Sequence, residues 1–210
     1  MERGAGAVMM KIWLVTNRLL CPGDFLKTVA EACRGGLEAV ILREKDLSPA
    51  ALYELARKVK SITDTHGVKL LISNSVEVAS AVECDGVHLG REALPLEAIR
   101  GKLCYRGRVG VSVHDPSAAR TAEEKGADYL LAGHIFPTSS KPGLPPGGLE
   151  LLESIREVSS LPLLAIGGIT PEKVPALCRQ ELEGIAVMSY IMQSPEPYRA
   201  VRELIQAQGK

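Results

Sequence analysis

Eight short apolar runs recur along this chain, each followed by a stretch with helical patterning. The runs fall at 11–17, 39–45, 69–74, 86–90, 108–114, 128–134, 162–168 and 184–190. The helical stretches fall at 25–34, 49–66, 75–83, 96–103, 116–125, 149–158, 171–179 and 197–207. Strand–helix alternation of this kind builds a parallel sheet, because each helix carries the chain back to the end where the next strand begins. The runs are apolar throughout, as parallel strands covered on both faces must be. Eight units of about 25 residues predict a single (β/α)8 TIM barrel at the compact end of that fold's size. An open doubly wound sheet competes, but no Gly-x-Gly-x-x-Gly turn follows the first run. The barrel is expected over 11–210, with 1–10 as a disordered N-terminal extension.

Punctuation agrees with the alternation. Ser48-Pro49, Asp115-Pro116 and Thr170-Pro171 read as helix openings, and Gly35-Gly36, Gly67 and Gly126 as helix closers. Lys+Arg and Asp+Glu both number 25, so no net charge draws the chain to nucleic acid or to a membrane surface. No apolar run is long enough to span a bilayer. The five cysteines are scattered and odd in number, which argues against a disulfide framework or zinc site and for a cytoplasmic setting. Cys33, Cys84 and Cys178 read as core fillers.

In such a barrel, functional groups collect at strand C-termini. Those ends carry Thr16-Asn17, Arg43-Glu44-Lys45, Ser73-Asn74, His88, Ser112 with His114, His134, Gly167-Gly168 and Ser189. They hold no dense carboxylate cluster for a divalent cation. The loops after strands seven and eight, with Gly167-Gly168 and Met188-Ser189, sit where this fold cradles phosphate. Arg43 and Lys45, two apart, share one side of the strand and can face an anion; the alternative is a surface ion-pair set with Glu44 and Asp46. His66 reads as a helix end, His88 as an orienting or structural group, and His114 as loop packing. His134 has the strongest functional case, with Gly133 beside it and Thr138, Ser140 and Lys141 in the loop that follows.

Taken jointly, Leu14-Val15-Thr16-Asn17, Leu42-Arg43-Glu44-Lys45, Asp85-Gly86-Val87-His88-Leu89-Gly90, Gly110-Val111-Ser112-Val113-His114, the segment from Gly133 to Lys141, Ala165-Ile166-Gly167-Gly168-Ile169 and Gly184-Ile185-Ala186-Val187-Met188-Ser189 resemble the thiamine phosphate synthase superfamily. The resemblance runs in order through nearly the whole chain from Met10. It implies two branches. The synthase branch couples a pyrimidine pyrophosphate to a thiazole phosphate with Mg²⁺, and the thiazole tautomerase branch shifts a proton.

Departures at four positions favour the second branch. Ser73-Asn74 stands for the synthase's Asn-Asp pair, Arg91-Glu92-Ala93 for its Gln-x-Asp, and Ile41 for its Gln; His134 stands where it has proline. The resemblance then implies a cofactor-free, metal-free isomerase that aromatises a 5-ylidene dihydrothiazole carboxylate phosphate. His134 would be its acid/base residue, and Arg43, Lys45, Asn74, Ser112, Thr138, Ser140 and Lys141 would bind substrate. Gly167, Gly168, Met188 and Ser189 would hold the phosphate. The expected partner is a small thiazole phosphate, with no nucleic acid or membrane, and a homo-oligomer such as a dimer is expected. The alternatives are thiamine phosphate synthase proper and a catalytically silent thiazole-phosphate-binding protein.

Overall fold

The computed structural model describes residues 9–209. Residues 1–8 of the expected extension lie outside that range. Met10 is buried: its N–H donates to Gln208 Oε1 (2.6 Å) and its carbonyl accepts from Gln208 Nε2 (3.0 Å).

The strands are β1 (Lys11–Val15), β2 (Ala39–Leu42), β3 (Lys69–Ser73), β4 (Gly86–Leu89), β5 (Arg108–Val113), β6 (Tyr129–Gly133), β7 (Leu163–Ile166) and β8 (Gly184–Val187). All pair in parallel in sequence order, and β1 pairs β8 to close the barrel. The helices are α1 (Phe25–Arg34), α2 (Pro49–Thr65), α3 (Val76–Ala81), α4 (Pro116–Glu124), α5 (Glu150–Arg156), α6 (Val174–Leu177), α7 (Ser189–Met192) and α8 (Pro197–Gln206). The expected openings at Ser48 and Asp115 hold, each side chain accepting the N–H three residues on (3.3 and 2.8 Å).

Every strand stops one to three residues short of its expected C-terminal end. Beyond the last ladder bond the chain lifts off the barrel, and those residues become the rim of the site. Strand eight shows this most: 184–190 divides into β8 and the short α7. The helix expected at 96–103 is a π turn at Ala98–Lys102, and that expected at 171–179 is a 3-10 turn (Pro171–Lys173) leading into α6. Pro175 has no N–H to give, so one continuous helix from Pro171 would lose an internal bond there.

Outward strand residues such as Ile12, Val40, Ile72 and Leu130 pack under the helices. Inward ones, Trp13, Ile41, Leu71, Tyr129, Leu131, Leu164 and Ala186 among them, fill the bore. Gly110 makes this filling possible, since a Cβ there would lie 1.9 Å from the Tyr129 ring. Tyr129 and Trp13 meet at 5.0 Å between ring centroids, and the Arg108 guanidinium lies over both rings (5.0 and 5.5 Å), plugging the floor. All five cysteines are free. Cys33 is buried and Cys84 half-buried, but Cys178 is exposed rather than a core filler. Among the described residues no helix is long and apolar enough to cross a membrane.

Candidate functional site

Above the plugged floor, the strand C-termini open on a cavity of about 720 Å³. One wall is the rim of β2, β3 and β4. Arg43 follows β2, and its N–H donates to Thr16 Oγ1 (3.0 Å). That hydroxyl donates to buried Glu44 (2.6 Å), which also accepts the Arg18 N–H (2.9 Å). The alternative ion-pair set does not form: Glu44 and Asp46 pair with Arg18 (3.4 and 2.5 Å), whose guanidinium holds the Asp46 carboxyl below its usual range. Arg43 and Lys45 therefore both border the cavity, although Lys45 is paired with Glu92 at the rim (3.0 Å).

Asn74 also borders the cavity, at a left-handed φ of 63° that asparagine tolerates better than most residues. Its Oδ1 accepts the Gly90 N–H (2.7 Å), which ties the end of β3 to the loop after β4. The next residue in that loop is Arg91, which lines the cavity with Arg43. Across from them Lys141 also lines it. Burial lowers the Lys141 ammonium's pKa, and the nearby charges of Arg91 and Arg43 lower it further. Among the described residues none of these three cations makes an ion pair with a carboxylate. In the sequence Arg91 stands out only as a departure from the family pattern. Its position directly after the strand-end Gly90 was the available signal.

The second wall rests on a buried relay. His88 faces inward from β4, with Nε2 2.8 Å from Ser112 Oγ and Nδ1 3.1 Å from the Tyr129 hydroxyl. Burial, aided by the charge of Arg43, pushes its pKa down to about 4, so the imidazole is neutral near pH 7. A neutral ring needs one N–H and one acceptor. The buried Tyr129 hydroxyl has its one hydrogen bond to Nδ1, so placing its proton there leaves Nε2–H to donate to Ser112, whose own proton is then free for the cavity.

The third wall joins the loops after β6 and β7. Ile135 and Phe136 donate their N–H groups to the carbonyls of Ile166 and Gly167 (2.9 and 3.1 Å). Gly167 and Gly168 have φ of 106° and 65°, and a Cβ on either would strike His134 or the Pro137 carbonyl within 2.4 Å. Lys173 Nζ donates to the Gly168 carbonyl (2.6 Å). Among the described residues the N–H groups of Gly168 and Ile169 have no protein acceptor. His134 lies in this wall, 7% exposed, with Nε2 donating to the Leu144 carbonyl (3.3 Å). His114, expected as loop packing, reaches the cavity too; its Nδ1–H donates to the Gly133 carbonyl, and burial lowers its pKa. Thr138 and Ser140 fold into a turn, the Ser140 N–H donating to Thr138 Oγ1 (3.3 Å), and Met188 and Ser189 complete the rim.

These donors do not make a divalent-cation site. An aspartate at position 74 could accept the Gly90 N–H with one oxygen and offer the other to a metal. Asparagine replaces that second oxygen with an NH₂ group, which only donates. Glu92 is held by Lys45, position 93 is alanine, and no cluster of three or more potential metal-binding side chains occurs among the described residues.

An eight-stranded parallel barrel with its polar, cation-lined cavity at the strand C-termini defines a TIM-barrel enzyme. The chain belongs to the thiamine monophosphate synthase family, whose pattern it matches over residues 12–191. It is 38% identical over 200 residues to a thiamine-phosphate synthase from Natronomonas pharaonis, covering 93% of this chain and 94% of that protein. A thiamine-phosphate synthase from Clostridium tetani is also 38% identical, over 194 residues covering 92% of this chain and 93% of that one. In three dimensions it is similar to a thiamine phosphate pyrophosphorylase from Pyrococcus furiosus, with TM-score 0.86 and 33% identity, covering 95% of this chain and 96% of that one.

These relatives overturn the tautomerase expectation, and they lend no support to the isomerase class or to the acid/base role for His134 that went with it. Whole-chain similarity runs to synthases despite the four departures. His134 has a structural account of its own, as the residue whose Nε2–H fastens the Leu144 segment of the loop.

Proposed function

We propose that this enzyme is a transferase of the thiamine-phosphate synthase type, joining a pyrimidine-methyl pyrophosphate to a thiazole phosphate. The thiazole ring nitrogen forms a bond to the methylene carbon, the carbon–oxygen bond breaks, and pyrophosphate leaves with the bonding electrons. The ring nitrogen attacks through its lone pair, so no proton carrier is needed at the bond-forming step. What carries this reading is a cavity with two anion-seeking ends, in a chain similar to synthases over nearly its full length. At one end the free N–H groups of Gly168 and Ile169, with Met188 and Ser189 nearby, suit the thiazole's phosphate. At the other, Arg43 and Lys141 suit the pyrophosphate.

Ser112, its hydroxyl oriented by His88, supplies a donor between the two ends. Thr138 and Ser140 belong to the turn that borders the mouth. Holding both reactants in one cavity makes the coupling effectively unimolecular, which would supply part of the rate enhancement. The Mg²⁺ that the resemblance implied does not fit the donors at Asn74, Glu92 and Ala93, and no step is assigned to it. The setting we propose is cytoplasmic, in keeping with five unpaired thiols.

The test is direct. The purified chain, given both substrates, should form thiamine phosphate and pyrophosphate in equal amounts. A folded protein that yields neither product, with or without divalent cations, would overturn the reading.

A further inference from the structure

Resting on the transferase reading, we propose that pyrophosphate is gripped without a divalent cation by Arg91, acting with Arg43 and Lys141, and that Asn74 sets the position of Arg91. The first support is the donor chemistry at position 74. The amide oxygen is spent on the Gly90 N–H at 2.7 Å, and the group beside it is a donor that repels a cation. The second is the fate of the one nearby carboxylate. Glu92 lines the cavity's rim but is bound to Lys45 at 3.0 Å, so its carboxylate is already engaged by a cation of the protein.

The third support is the cations themselves. Arg43, Arg91 and Lys141 line one cavity and make no ion pair with a carboxylate among the described residues, although Arg43 lies near enough to Glu92 to help lower that carboxyl's pKa. Like charges brought together in this way repel; the Lys141 pKa is lowered first by burial and then by the charges of Arg91 and Arg43. A cluster held at such a cost is relieved by a polyanion. Guanidinium groups suit the task, since each offers paired N–H donors to two phosphate oxygens. The backbone explains how Arg91 is aimed. Asn74 N–H donates to the His88 carbonyl (2.9 Å) while its side chain holds Gly90, so the chain leaving β4 is fixed on both sides of Leu89. Arg91 leaves directly from that fixed point.

The leaving group's charge is thus met by fixed cations of the protein. Position 74, where a carboxylate could have carried a metal, instead steadies the arginine.

Inorganic pyrophosphate titrated into the enzyme by calorimetry provides the test, in excess chelator and again in Mg²⁺. Affinity should agree within about threefold between the two conditions. Arg91→Ala should weaken pyrophosphate binding by about tenfold to a hundredfold, the range for losing a charge-assisted contact. It should leave inorganic phosphate binding in the glycine-turn subsite, and the melting temperature, unchanged. Arg91→Lys should recover part of the loss, and Asn74→Ala should weaken pyrophosphate as a displaced Arg91 would. Pyrophosphate that binds only with Mg²⁺, or equally well to Arg91→Ala, overturns the proposal. Failure of the transferase reading looks different: metal-free, Arg91-dependent pyrophosphate binding with no coupled product from the two substrates.

Discussion

Replacing His88 by glutamine should flatten the acid limb of this protein's stability curve. The imidazole is fully buried, and its pKa is lowered from 6.5 to about 4, by burial first and the charge of Arg43 second. Between those values the unfolded chain takes up a proton at this position and the folded chain does not. Stability therefore falls as pH drops through that window, and the contribution is complete only above about pH 6.5. A shift of this size amounts to about 3 kcal/mol between pH 7 and pH 4. Glutamine keeps an acceptor and a donor for Tyr129 and Ser112 but has nothing to protonate. Urea unfolding of parent and variant, measured at intervals from pH 7 to pH 4, isolates the effect, because carboxylates and His114 titrate alike in both. Glutamine is expected to cost some stability at pH 7 through imperfect geometry, but the gap should close as the pH falls. Parallel curves for the two proteins would refute a neutral, buried His88.

Gly110→Ala places a methyl group 1.9 Å from the Tyr129 ring and should cost at least about 3 kcal/mol, read as a large fall in melting temperature or loss of soluble protein. Thr16→Val removes the hydroxyl shared by Glu44 and the Arg43 N–H, and should destabilise by about 1–3 kcal/mol in denaturant titrations while weakening pyrophosphate binding through a loosened Arg43. His134→Gln should change KM through the loop while leaving the pH–rate profile near neutrality in place, far from the roughly 10²–10⁴-fold loss that deleting a proton carrier brings. A loss of that size with an altered profile would return His134 to the chemistry.

The barrel was legible because its signals are local and repeated: an apolar run, a capped helix, a glycine stop. Strand ends were less legible. Val187 and Met188 are equally apolar, yet only Val187 lies within β8, and the turn into α7 depends on where the closed barrel runs out of partners. The cavity's rim could be read from strand-end residues, since a barrel's closure brings such positions together wherever the helices lie. Pairing could not be read that way. Nothing in the order Arg43-Glu44-Lys45-Asp46 tells that Arg18, from another loop, takes both of these carboxylates and leaves Arg43 without an ion pair to either. The contact that His134 makes is hidden for the same reason. An imidazole at a strand end invites a chemical role, and the Leu144 carbonyl that engages it becomes its neighbour only when the loop folds back.

The plug of Trp13, Tyr129 and Arg108 has a consequence for traffic through the enzyme. A bore stoppered at one end is a cul-de-sac. If the two reactants of the proposed transfer share this recess, they share its doorway as well, and the one that lies deeper enters first and departs last. The queue is imposed by aromatic rings at the opposite end of the molecule from the chemistry.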